Sequence, residues 1–310
     1  YPDDADDGLA GELERLAAPE PRSGFGRCYA LKEMLGQGTF GDIYRASAVG
    51  SAEGSSRRRC AVKVFRSSSK GADEGGRSSF QVECTVLSRF EHPCIVKMYE
   101  YFKDENEFCV VLEHCDGGDL FGRIVERFRE VKSGFEEPVA RAYLVQMLSA
   151  VAYMHAQRVV HQDIKPENFV ISGKPGTAHA DVVKLCDFGS CVALTEEAPR
   201  VMDKTGTLSY TAPEVYAGRG AAVAADMWSM GVVLYVLLAG TNPFQVPGKS
   251  STQDTIDRIL AGEFEQQRPA WLHASSSAQG LVCALLAVDE TERLTVRQAL
   301  RHAFLRGADP

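Results

Sequence analysis

HQDIKPENF (residues 161–169) gathers a candidate base, Asp163, a cation two positions on, Lys165, and a metal-binding amide, Asn168. Its flanks are apolar: AYMHAQRVV leads in and FVIS leads out. Polar groups this dense between strand-like apolar segments read as a catalytic loop braced by a core.

Bulk properties narrow what such a loop can serve. At 310 residues and 45% hydrophobic, the chain has material for one large domain or two lobes. A net charge of −8 argues against a dedicated nucleic-acid binder and favours cationic partners or substrates. Nine cysteines without a CxxC pair read as reduced thiols, so a cytoplasmic location is expected. The most apolar run, MWSMGVVLYVLLA (227–239), falls short of the roughly 20 residues that span a bilayer and reads as a buried helix. No membrane segment and no nucleic-acid partner are expected. A chain opening on Tyr1 is expected to be a piece of a longer protein.

Outward from the loop, two patterns divide the chain. Upstream, YALKEMLGQGTFGDIYRA (29–46) alternates around a Gly-rich turn like a hairpin, and CAVKVF (60–65), CIVKMYEYF and EFCVVLEH read as further strands. A helical run at 80–90 interrupts them, giving five strands and one helix in the first 114 residues. Gly/Ser/Arg-rich stretches at 47–59 and 66–79 read as mobile loops. Residues 1–28 read as an acidic, flexible tail with at most a short helix at Leu9–Ala17. Asp3, Asp7, Gly8 and Glu14 fall at calcium-loop positions, but Ala5 replaces a ligand and no helix can enter from Tyr1–Pro2.

After CDGGDL (115–120) helices dominate. Ala140, Tyr143, Leu144, Met147, Leu148, Val151, Met154 and His155 recur with a 3.6-residue period, and Pro138 suits a first helical turn. Short strands are predicted near 169–172 and 182–186. The expected class is α+β: a small β-rich lobe, a connector and a large helical lobe, with a cleft as the default ligand site.

Together with HQDIKPENF, the motifs GQGTFGDI (36–43), AVKV (61–64), DFG (187–189), GTLSYTAPE (206–214) and DMWSMG (226–231) resemble the eukaryotic protein kinases. The likeness covers about 29–305, with a small lobe at 29–114, a large lobe at 115–305 and a tail at 306–310. It implies transfer of the ATP γ-phosphoryl group to protein Ser/Thr hydroxyls. Gly36, Gly38 and Gly41 would close over phosphates; Lys63 would hold them, oriented by Glu83. By itself Lys63 could equally be snorkelling from a strand, and Glu83 an exposed helix charge. Leu35, Ile43, Ala61 and Val170 would sandwich adenine, with Leu112 as gatekeeper, the backbones of Glu113 and Cys115 at the base edge and Asp119 near the ribose. Asp163 would take or orient the substrate proton, Lys165 would neutralise the γ-phosphoryl, and Asn168 and Asp187 would ligate Mg²⁺. Thr207 would bridge Asp163 and Lys165, Glu214 would pair with Arg293, and Asp226 would hold the catalytic loop's backbone. Leu87, Met98, His161 and Phe188 would form a regulatory stack.

GGDLFGRIVE and KPENF most resemble calcium/calmodulin-regulated kinases, and among them the calcium-dependent kinases with their own calmodulin-like domain. Any regulatory calcium-binding domain would lie outside this chain. Asp119 and Glu167 suggest substrates with Arg or Lys near the target hydroxyl. Gln162 replaces the arginine that binds a phosphorylated activation loop, and Asp203 stands where a phosphorylated threonine is common, so phosphorylation at Thr205 or Thr207 is not expected to be needed. The alternative is a pseudokinase scaffold, supported only by Gln162 and Ser190. Two decoys fail: PGKSS (247–251) has Pro243 where a P-loop needs glycine, and Cys186 and Cys191 lack zinc-spaced partners.

Overall fold

Alternation in CAVKVF puts Cys60, Val62 and Val64 on one face of a strand and Ala61, Lys63 and Phe65 on the other. In the computed structural model, which describes residues 21–38, 41–50, 59–66, 74–104, 107–174, 181–202, 206–245 and 251–307, that strand is the centre of a five-stranded sheet. The Leu9–Ala17 helix, the candidate calcium residues, most of the 47–59 loop, and Asp203 and Thr205 lie outside the described residues. The chain divides into two compact units.

The first unit runs to Asp116 and takes in Cys186–Cys191. A one-turn helix α1 (Phe25–Cys28) enters β1 (Tyr29–Gln37), followed by β2 (Asp42–Ala48), β3 (Arg59–Arg66), helix α2 (Glu74–Leu87), β4 (Met98–Lys103) and β5 (Glu107–Glu113). The strands pair antiparallel in the order β1-β2-β3-β5-β4. One face buries Cys60, Val62 and Val64 with Ala46, Cys109 and Val111. On the other face Phe65 meets Phe80 of α2 edge-on at 5.5 Å between ring centroids, and Phe80 meets Phe108 at 5.0 Å.

Two features of this unit depart from expectation. Residues 21–28, read from their composition as the end of a solvated tail, are built into the sheet. Arg22 forms a parallel bridge with Phe102, its N–H donating to Tyr101 O at 3.2 Å and its carbonyl accepting from Lys103 N at 2.8 Å. Phe25 then packs on Tyr29 and Phe102 at 5.8 and 5.5 Å, so the segment covers a strand edge and closes an apolar face. Helix α2 also begins at Glu74, within a stretch read as a loop. Gly75 and Gly76 lower helix propensity there, and local composition does not reveal the continuation.

The second unit holds Gly117–Leu185 and Val192–Pro310. Its first helices are α3 (Leu120–Val131) and α4 (Glu137–Ala156), the latter burying the predicted stripe from Ala140 to Met154 with a proline in its first turn. Two-residue β6 (Val159–Val160) pairs with β9 (Val192–Ala193), and β7 (Phe169–Ile171) pairs with β8 (Val183–Leu185). These two ribbons flank the 161–168 loop. Helices α5 (Pro213–Tyr216) and α6 (Val223–Ala239) follow, with α7 to α11 at Thr252–Ala261, Pro269–Leu272, Ser276–Leu285, Val296–Ala299 and Ala303–Arg306. Helix α6 is buried from Ala225 to Ala239 and stops at Gly240, whose φ of 73° suits a residue without Cβ. Among the described residues no helix is long and apolar enough to cross a membrane.

Candidate active site

Strand β3 carries Lys63 into a site where the side chain is only 2% exposed. Its Nζ donates to Glu83 Oε2 and to Asp187 Oδ1, each at 2.6 Å. Burial alone would favour the neutral amine, but the two carboxylates outweigh it and hold the Lys63 pKa above its ordinary range. The snorkelling and exposed-charge readings of Lys63 and Glu83 are therefore wrong; Glu83 is fully buried. Burial pushes the Glu83 carboxyl up and the Lys63 ammonium opposes that, while Asp187, the more exposed of the two carboxylates, is the one suited to a divalent cation. Asp187 holds a φ of 61°, a strained left-handed conformation for a residue with a Cβ. Phe188 behind it is buried and meets Phe90 edge-on at 5.9 Å.

The Gly-rich turn joins β1 and β2, with Gly38 N–H donating to Gly41 O at 2.8 Å. A Cβ on Gly41 would lie 2.4 Å from Val64 O, whereas one on Gly36 would meet nothing within 4 Å. Gly41→Ala is expected to push β2 off β3 and destabilise the chain by about 1–3 kcal/mol, read as a lower Tm. Gly36→Ala should stay within about 0.5 kcal/mol of the parent. Equal Tm values for the two variants would refute this.

Ala61 pairs with Leu112 across β3 and β5, and Leu112 is buried. The Glu113 N–H donates to Lys97 O at 2.9 Å, so the carbonyl of Glu113 is its group suited to an adenine amine. Leu35 is exposed and Ile43 half-buried. Cys186 is pushed well up by burial, with Asp187 adding to the effect, so it carries a thiol rather than a thiolate ligand.

In the second unit, HQDIKPENF folds onto itself. Lys165 Nζ donates to Asp163 Oδ2 at 2.6 Å and to Thr207 Oγ1 at 2.8 Å, and Thr207 Oγ1 donates to Asp163 Oδ1 at 2.8 Å. Asn168 Nδ2 donates to the Asp163 carbonyl at 2.7 Å and to Oδ2 at 3.1 Å. That use of the nitrogen leaves the amide oxygen as the atom of Asn168 able to serve a cation. One carboxylate is thus oriented by three side chains, as a general base requires.

Behind the loop, buried Asp226 accepts from His161 N at 3.0 Å and Gln162 N at 3.1 Å, and pairs with His155 Nε2 at 2.8 Å. It holds two successive backbone N–H groups where Gln162 takes a φ of 67°. Glu214 and Arg293 form a bidentate pair at 2.7 and 2.9 Å, both side chains fully buried. Upstream, Gly117 N–H donates to Ile171 O and Ile171 N–H to Gly118 O, which sets Asp119 in a bridge opposite Val170. The Asp119 side chain accepts from Gly122 N at 2.7 Å and caps α3.

Each unit therefore assembles its own share of the expected residues: Lys63, Glu83 and Asp187 in one, Asp163, Lys165, Asn168 and Thr207 in the other. Sequence reasoning placed His155 only on a core face, although it also steadies Asp226. It missed Ser229, whose hydroxyl donates to Tyr210 O at 2.8 Å, and Tyr216, whose hydroxyl donates to Leu208 O at 2.6 Å. Both fix the segment after Thr207, and neither carries a local signal.

Known proteins resemble this chain over most of its length. The protein kinase domain family matches residues 29–305. Calcium/calmodulin-dependent protein kinase type 1 of Macrobrachium nipponense is 35% identical over 279 residues, 90% of this chain and 75% of that protein. The type IV enzyme of Mus musculus is also 35% identical, over 92% of this chain but 56% of its own length. Myosin light chain kinase A of Dictyostelium discoideum is 31% identical over 90% of this chain and 88% of its own. The chain spans little more than half of two such relatives. ATP and a divalent metal are general to the family. With its five-stranded antiparallel unit and its helical unit, the chain belongs to the protein kinase family, among the Ser/Thr kinases of the calmodulin-regulated group.

Proposed function

We propose that this chain is an active Ser/Thr kinase, transferring the γ-phosphoryl group of ATP to hydroxyls in basic sequence contexts. The Asp163–Lys165–Thr207–Asn168 network carries the reading. The substrate hydroxyl oxygen forms the new bond to phosphorus as the bond to the ADP oxygen breaks, and its proton passes to a carboxylate oxygen of Asp163. Lys165 balances charge on the transferred group. Lys63, fixed by Glu83, holds the phosphates, and the Gly-rich turn covers them. Asn168 and Asp187 are the proposed Mg²⁺ ligands; bound Mg²⁺ would neutralise phosphate oxygens. Leu35, Ile43, Ala61, Leu112 and Val170 are proposed to line the adenine site, with Glu113 and Cys115 at its edge.

A preference for basic substrates is supported by the acidic surroundings of the loop. The Glu167 carboxyl is held above its ordinary value, first by lost hydration and further by the charges of Asp163 and Asp119. An arginine brought there would relieve that repulsion. Gln162 has no charge to receive a phosphate, which supports activity without activation-loop phosphorylation. Calcium control is proposed to reside in a domain outside these 310 residues, and the location to be cytoplasmic.

The test is phosphate transfer to an Arg-containing Ser peptide, compared with Asp187→Ala. Transfer well above that control, falling when the upstream Arg is replaced, is expected. Equal background rates would favour the pseudokinase scaffold for which Gln162 and Ser190 speak. Undiminished transfer to the Arg-free peptide would reject the basic preference alone.

A further inference from the structure

Arg200 and Val201 stand at the upstream end of the run that leads to Thr207, and both are tied down. Arg200 makes a bidentate pair with Glu290, at 3.0 Å to Oε2 and 2.7 Å to Oε1, and the same guanidinium reaches the Gly220 carbonyl at 3.4 Å. Val201 and Ala221 exchange both backbone hydrogen bonds, at 2.8 and 2.7 Å. Gly220 permits that approach. It has a φ of 78°, and a Cβ there would lie 2.7 Å from Val201 O and 2.8 Å from Met202 Sδ. At the downstream end Gly206, with a φ of 118°, passes so close to the loop that a Cβ would lie 2.8 Å from Gln162 O. Thr207 then reaches Asp163 and Lys165.

Exposed ion pairs usually contribute little, but here Glu290 is only 15% exposed and grips the Arg200 fork with both oxygens. A backbone bridge beside the pair removes the slack that would let it open.

We propose that the Arg200–Glu290 pair and the Val201–Ala221 bridge form a clasp that positions the substrate-binding segment, doing without phosphate what an arginine at position 162 would do with it. This rests on the phosphorylation-independent reading above. Arg200 and Glu290 are positioning residues. They anchor the chain on the upstream side of Thr207 and are not among the groups that meet Asp163.

The experiment uses the full chain after phosphatase treatment. Arg200→Ala and Glu290→Ala are each expected to raise KM for a basic Ser peptide about tenfold while KM for ATP stays within about twofold. The charge-exchanged double variant R200E/E290R should recover to within about threefold of the parent. Gly220→Ala, which keeps both side chains of the ion pair and crowds the bridge, should reproduce the rise in peptide KM. Hydrogen exchange gives a readout independent of turnover: the Val201 and Ala221 amides should exchange about tenfold faster in each single variant. Unchanged exchange at both amides in Arg200→Ala and Glu290→Ala would overturn the clasp, as would a double variant no better than the singles. If the parent itself transfers no phosphate, the kinase reading fails, and the exchange result alone decides the clasp.

Discussion

Asp163→Asn is expected to lower kcat on a Ser/Thr peptide by about 10²–10⁴-fold, with KM for ATP within about twofold of the parent. The substitution keeps the shape of the side chain and removes its charge. In the parent, Oδ1 accepts from Thr207 and Oδ2 from Lys165 and Asn168, so the carboxylate is oriented by three donors and carries the negative charge a hydroxyl proton needs. An amide there accepts at one atom only and cannot take the proton. Because Lys63, Glu83 and Asp187 lie in the other unit, their geometry is untouched, and nucleotide binding should persist. A kcat within threefold of the parent would remove Asp163 from the role assigned to it.

The second large effect concerns stability. Glu214→Ala leaves the Arg293 guanidinium fully buried without the carboxylate that grips it, although it still donates to the carbonyls of Ala224 and Ala287. Breaking a buried pair from one side costs about 3–5 kcal/mol. For a unit of this size Tm falls by roughly 2–4 °C per kcal/mol, so a drop of at least about 6 °C is expected. Replacing both partners together with apolar residues of similar volume should destabilise less than Glu214→Ala alone, because no buried charge is then stranded. The opposite order would mean the pair contributes through something other than mutual charge compensation. Calorimetry of the two variants decides.

The catalytic loop was legible because its chemistry is local. Asp163, Lys165 and Asn168 lie within six residues, and no common structural need puts a base, a cation and an amide there between apolar strands. Lys63 and Glu83 were harder, since a lysine in a strand and a glutamate on a helix have ordinary explanations. Only their 2.6 Å contact removes those explanations. The stripe from Ala140 to Met154 was readable from its period, as was the apolar run that became α6. What stayed hidden depends on distant partners. Arg200 meets Glu290 across 90 positions, and residues 21–28 have a composition that suits solvent until Phe25 finds Phe102. Neither pairing leaves a trace in local pattern, because each side alone reads as a surface charge or a stray aromatic. Gly41 shows the same limit: three glycines mark the turn, but only the approach of Val64 O shows which one the protein's own backbone demands.

The central claim is that the catalytic network is complete without a phosphate on the segment before Thr207. Its most direct test is the turnover of the phosphatase-treated chain on a basic Ser peptide, with intact mass recorded before and after to exclude autophosphorylation. Steady turnover from the first seconds, on a protein carrying no phosphate and lost in Asp187→Ala, is the result expected. A lag that ends only as phosphate appears at Thr205 or Thr207, or activity restored only by phosphorylating those residues, would contradict it.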